Sequence, residues 1–74
     1  MTGIICAMQI EADGIIALSQ NTQTEEIAGM KFTTGTLNGK DIAVVVCGVG
    51  KVNAAMCAVV LIEKYNPDVV INSG

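Results

Sequence analysis

The chain alternates short apolar runs with polar breaks, and the spacing of those breaks predicts its elements. Gly3 to Met8, GIICAM, is a solid β-rich run of the kind that fills a strand buried on both faces. It stops where charge begins. IEADGIIALSQ, Ile10 to Gln20, carries Ile10, Ile15, Ile16 and Leu18 at helical spacing, with Glu11 and Asp13 in the first turn where acids complement the helix dipole. Gly14 weakens this short helix. NTQTEE is polar and reads as a connector. From Ile27 the period becomes two, with Met30, Phe32, Thr34 and Thr36 on one face.

Asn38-Gly39 then separates two strand-like segments, and that dipeptide is the strongest short-range hairpin signal because a type I′ turn needs positive φ at both central residues. DIAVVVC is therefore predicted to pair antiparallel with the segment before it. KVNAAMCAVVLIEKY, residues 51–65, is a helix of about four turns, apolar nearly all round until Glu63 and Lys64. Such a helix is expected to be covered on more than one side. NPD breaks it, and VVINSG is another buried strand. The order strand, helix, hairpin, helix, strand predicts an α/β fold, a mixed sheet with helices on its faces and no internal domain boundary across residues 1–74.

Composition sharpens this. Of 74 residues 51% are apolar and 15% charged, more apolar than a separate domain this small can cover with polar surface. A piece of a larger fold, or a subunit whose apolar faces are covered, is expected. A net charge of −3, with four lysines and no arginine or histidine, argues against nucleic acid as a partner. Cys6, Cys47 and Cys57 lack the clustering and the histidines of a zinc site, so no metal and no cofactor is expected; as thiols in apolar runs they suit a reducing cytoplasm. The longest apolar run, Ala54 to Ile62, is far short of the ~20 residues a membrane span requires. No basic residue precedes Gly3 to Met8 and no small-residue cleavage site follows, so a secretory signal is not expected.

The segment VVVCGVGKVNAAM leads a strand through two glycines into a helix, the arrangement that cradles phosphate in many α/β proteins. Neither template fits. A P-loop needs glycine where Val45 stands and Ser or Thr where Val52 stands; the dinucleotide fingerprint needs Gly or Ala where Asn53 stands. A tight turn, or a turn lining a pocket for a neutral ligand, remains. Lys51 and Asn53 read as ordinary polar residues of a first helical turn, and Cys47 has no histidine to activate it as a nucleophile. Because ligands of open α/β sheets sit beyond the carboxyl ends of the strands, attention falls on Met8 with Glu11, on Cys47 to Val49, and on Asn72 to Gly74. Glu11 is either a general base that holds a water or a first-turn acid serving the helix dipole. Met8 is either a pocket wall or core.

Three segments in register, GIICAMQIEAD, TGTLNGKDIAVVVCGVGKVNAAM and PDVVINSG, resemble the N-terminal part of the 5′-methylthioadenosine/S-adenosylhomocysteine nucleosidases of the nucleoside phosphorylase superfamily. The family pattern is a strand followed by A-M-x-x-E, a Gly-[Ile/Val]-Gly-Lys turn, and a strand ending Asn-[Thr/Ser]-Gly. The resemblance spans essentially this whole chain and about the first third of such an enzyme. It implies a three-layer α/β/α fold, hydrolysis of the N-glycosidic bond of an adenine thioribonucleoside in methionine salvage, and a cytoplasmic homodimer. It assigns Glu11 as the catalytic carboxylate that activates water, and Met8 and Val49 as walls for the ribose and the 5′-alkylthio group. Family members often carry further acids before the catalytic one, where this chain has Gln9 and Ile10. The family's remaining site residues fall beyond Gly74, so these residues alone are expected to hold part of a site. A phosphorolytic relative would clamp phosphate with arginine, which this sequence lacks. A non-catalytic piece that only packs against a partner, and more remotely a nicotinamide oxidoreductase, are the other readings.

Overall fold

The computed structural model describes residues 1–47 and 51–73, with side chains described for all of these but 51–54. In chain order the elements are β1 (Thr2–Cys6), α1 (Gln9–Ala17), β2 (Gln20–Ile27), β3 (Met30–Leu37), β4 (Lys40–Val46), α2 (Lys51–Tyr65) and β5 (Val69–Ser73). They build one five-stranded sheet in the order β2-β3-β4-β1-β5, in which β1 runs parallel to β4 and β5 while β2, β3 and β4 form an antiparallel meander. The predicted mixed sheet with flanking helices is therefore the observed one.

Alternation along β1 and β4 divides the core into two layers. Ile5, Phe32, Ala43 and Val45 face α2 and meet Cys57 and Leu61; Ile4, Cys6, Ile42 and Val44 face α1 and meet Ala12. Successive side chains of a strand point to opposite faces, so a run such as IAVVV in β4 can only be satisfied by a helix on each side. On the α2 side the approach is close. A Cβ placed on Gly3 would lie 2.7 Å from Cδ2 of Leu61, a side chain with no freedom to withdraw because it is wholly buried. Phe32 and Tyr65 add an aromatic contact, with ring centroids 5.7 Å apart. At the start of β1, the N-terminal ammonium sits 2.8 Å from Oδ2 of Asp68, and the Asp68 N–H donates to the Met1 carbonyl at 2.8 Å.

Several sequence expectations are corrected. The polar segment NTQTEE is strand β2, paired with β3 from Gln23↔Thr34 to Ile27↔Met30. It escapes the period-two rule because it is an outer strand with solvent on both faces, held by backbone pairing and by the 3.0 Å Thr24–Thr33 hydroxyl bond. The strand predicted to begin at Ile27 is interrupted there. Ala28 and Gly29, at φ 53° and 80°, make a two-residue turn with nearly the same backbone as Asn38 and Gly39, at 53° and 78°. Alanine seldom takes that conformation, so the first hairpin carries no sequence signal. α1 ends at Ala17, where the Ser19 hydroxyl and N–H return to the carbonyls of Ile15 and Ile16. α2 covers the sheet with one face only, leaving Met56, Val59 and Ile62 exposed. β5, expected to be buried, is an edge strand whose Val69, Val70 and Ile71 are exposed.

Candidate functional site at the carboxyl ends of the parallel strands

Parallel pairing aligns the ends of three strands, since Cys6 stands opposite Val46 on one side and Ser73 on the other. The next residues continue the ladder: the Cys47 N–H donates to the Cys6 carbonyl at 3.0 Å, and the Ala7 N–H to the Ser73 carbonyl at 3.3 Å. The chain then turns sharply out of β1. Met8, extended at φ −128° and ψ 144°, is the residue from which α1 starts.

Glu11 occupies the first turn of α1, and its Oε1 accepts the Met8 N–H at 3.3 Å while the N–H groups of Glu11 and Ala12 point back to the Met8 carbonyl. This reciprocal arrangement is one half of a capping box, and it fixes the carboxylate relative to the end of β1. The side chain is half-buried there. Its charge is felt underneath: the Cys6 thiol is pushed up by burial first, then by the Glu11 carboxylate and by Cys47. The two roles weighed for Glu11 are thus structurally compatible, because the helix-start bond engages Oε1. Met8 is 57% exposed and belongs to neither core layer, so the core reading of that residue is overturned. It stands beside Glu11 at the strand ends. Val49, with Gly48 and Gly50 of the glycine turn, lies outside the described residues.

A distinct cleft of about 230 Å³ opens on the α1 face of the sheet, between Gln9, Asp13 and Ile16 of the helix and Thr24, Lys31 and Thr33 of the β2-β3 hairpin. It includes neither Glu11 nor Met8. What sequence reading missed is the contact of Cys47 with β1. Cys47, remote in the chain from Cys6, donates its thiol to the Cys6 carbonyl at 3.5 Å, while Cys57, in the layer facing α2, lies 3.1 Å from the Met30 thioether. Only the parallel register of β1 with β4 could have revealed it. Among the described residues no helix is long and apolar enough to cross a membrane.

Comparison with known proteins places this geometry. A curated 5′-methylthioadenosine/S-adenosylhomocysteine nucleosidase from Shewanella loihica is 50% identical over 97% of this chain, which corresponds to 31% of the relative. The chain thus spans about a third of the length of the curated relatives it matches. The crystal structure of a nucleosidase of the same name from Colwellia psychrerythraea, in complex with adenine, superposes with a TM-score of 0.95 at 37% identity, covering 99% of this chain and 30% of that one. The Streptococcus pneumoniae enzyme, bound to a transition-state inhibitor, gives 0.92 at 34% identity, covering 99% and 32%. The family model of the phosphorylase superfamily matches residues 2–74, and the chain belongs to that superfamily.

Proposed function

We propose that the complete protein of which these residues form the N-terminal part hydrolyses the N-glycosidic bond of 5′-methylthioadenosine and S-adenosylhomocysteine, releasing adenine and the thioribose. The observation that carries this reading is the A-M-x-x-E segment folded over the end of β1, with Glu11 held through the Met8 N–H. Departure of adenine leaves an oxocarbenium-like sugar, and the nucleophile is a water. Glu11 orients that water and accepts its proton, using the oxygen not engaged by Met8. A carboxylate tethered to a strand end holds the water at fixed distance from the sugar, which is where most of such a catalyst's advantage arises.

Met8 and Val49 form the wall for the ribose and the 5′-alkylthio group. Met8 is exposed at the strand ends and apolar, so a thioether placed against it leaves water with favourable free energy. The enzyme acts in the cytoplasm within methionine salvage, in keeping with cysteines that are thiols. It is a homodimer, and the exposed Met56, Val59 and Ile62 on α2 suit burial against a second copy.

The test is product analysis with the complete protein. Incubated with methylthioadenosine, it is expected to yield adenine and free methylthioribose, with the same products and rate when inorganic phosphate is added. A phosphate-dependent sugar 1-phosphate would replace hydrolysis by phosphorolysis, and absence of adenine release would refute the nucleosidase reading.

A further inference from the structure

The dipeptide that joins β3 to β4 closes a hairpin, and it also sets a side-chain amide beside a backbone nitrogen that can react with it. Asn38 and Gly39, at φ 53° and 78°, are the whole loop, since Leu37 and Lys40 on either side are already paired. Both are exposed. Among the described residues the Asn38 side chain has no hydrogen-bond partner, so nothing holds its amide away from the backbone that follows. Gly39 leaves that backbone bare: it has no side chain, and apart from its chain neighbours nothing lies within 4 Å of the place a Cβ would occupy.

The other asparagines lack this combination. Asn21, Asn53 and Asn72 precede Thr22, Ala54 and Ser73, whose side chains crowd the following nitrogen, and Asn66 precedes Pro67, whose nitrogen has no hydrogen to lose. The twin turn at Ala28 and Gly29 has nearly the same backbone but a methyl group where the amide would be.

We propose that Asn38 is a site of spontaneous deamidation in the folded protein, passing through a succinimide to aspartate and isoaspartate at position 38. In the first step the Gly39 nitrogen, deprotonated by hydroxide, attacks the Asn38 Cγ. The bond from Cγ to the side-chain nitrogen breaks, and ammonia leaves with the proton that Gly39 gave up. In the second step one water opens the ring. Cleavage at Cγ restores the ordinary backbone with a carboxylate side chain, whereas cleavage at the Asn38 carbonyl carbon routes the chain through Cβ and Cγ as isoaspartate. One water is consumed and one ammonia released, with nothing oxidised or reduced. Ring closure swings the Gly39 nitrogen toward Cγ, a movement that the open space at the tip admits and the Leu37–Lys40 pair opposes. Either product makes the chain's net charge of −3 one unit more negative. Isoaspartate also lengthens the main chain of the loop by one carbon. The disturbance stays at the tip, because the first buried residue of β4 is Ile42, beyond the Leu37–Lys40 and Thr36–Asp41 pairs, and the candidate site lies at the opposite end of that strand.

Trypsin isolates the site, because Lys31 and Lys40 bound peptide 32–40, whose only side-chain amide is that of Asn38. The complete protein is kept folded in warm, mildly alkaline buffer and then digested at mildly acidic pH. Peptide 32–40 is expected to give two separable products, each heavier by the difference between a hydroxyl and an amino group, of which a protease specific for the amino side of aspartate cuts only one. Their rate of appearance is expected to rise in proportion to hydroxide, with the other asparagines unchanged over the same interval. Ala28→Asn is expected to create a second reacting site, at position 28 in peptide 1–31; a folded variant unmodified there would overturn the turn as the cause. An unchanged peptide 32–40 in the folded wild type would overturn the proposal, and its conversion in urea would then assign the protection to the hairpin. Earlier conversion at Asn21, Asn53, Asn66 or Asn72 would overturn it as well. The wild-type protein alone decides the matter should the variant fail to fold, and since no substrate is added, the outcome is independent of the nucleosidase reading.

Discussion

β1 with β4 and β2 with β3 are both paired strands of one sheet, yet they are specified in opposite ways. β1 and β4 are buried on both faces between α1 and α2, so their sequences are apolar runs and their pairing is parallel and remote in the chain. β2 and β3 are joined by two turn residues, and β2 is exposed along nearly its whole length. The first pair exists because two helices cover it; the second exists because a turn brings backbone to backbone. The candidate site follows the first pair. Only parallel strands bring several carboxyl ends to one edge, and Glu11, Met8 and Cys47 stand on that edge.

If the strand-end edge is where reaction occurs, the largest effect belongs to Glu11→Gln in the complete protein. The amide can still accept the Met8 N–H but cannot take a proton from water, so adenine release is expected to fall by about 10²–10⁴-fold. Far-UV circular dichroism is expected to stay unchanged, and near-wild-type activity would remove Glu11 from the mechanism.

The next largest effect separates covered from uncovered positions within a single helix. Leu61 is wholly buried against Gly3, whereas its neighbour Ile62 is half exposed. Leu61→Ala is expected to cost about 2–5 kcal/mol in urea unfolding, and Ile62→Ala in a monomeric sample no more than about 0.5 kcal/mol. Equal losses would mean that α2 is covered on both sides.

The smallest effect concerns the clasp between the exposed hairpin and α2, where the Tyr65 hydroxyl donates to Glu25 and Lys64 stands 4.0 Å from the same carboxylate. Burial, followed by Glu25, raises the Tyr65 phenol to about 12 from its usual value near 10. A raised value favours the protonated folded form, so the contribution is complete below about pH 10 and is lost as pH rises toward about 12. Tyr65→Phe is expected to flatten that part of a stability-against-pH curve. An unchanged slope would show that β2 is held by β3 alone.

The same contrast explains what could be read in advance. Gly3 to Met8, DIAVVVC and residues 51–65 announced their elements because burial leaves apolar runs, and Asn38-Gly39 announced its hairpin because the backbone there demands those residues. β2 stayed hidden because an uncovered strand needs no alternation, and the Ala28–Gly29 turn because alanine does not advertise positive φ. β5 misled for a different reason: its sequence is that of a covered strand, while these residues leave it at the edge. Glu11 was legible by position as a first-turn acid after a buried strand, but its bond to Met8 needed the fold. The approach of Cys47 to the Cys6 carbonyl was not legible at all, since spacing along the chain does not encode the register of a parallel sheet.

The central place of β1 has a consequence for how the chain assembles. Thr2 faces Ile42 on one side and Val69 on the other, so β1 pairs with two strands that both come later in the chain. Until β4 and β5 have emerged, Ile4, Ile5 and Cys6 have nothing to pair with, and loop closure must be met before any of that burial is gained. The polar β2-β3 hairpin closes over a two-residue turn and can form early, as a template to which β4 adds. Synthesis and pairing of these strands thus run in different orders, and β1 is the segment most in need of protection from aggregation while it waits for β4 and β5.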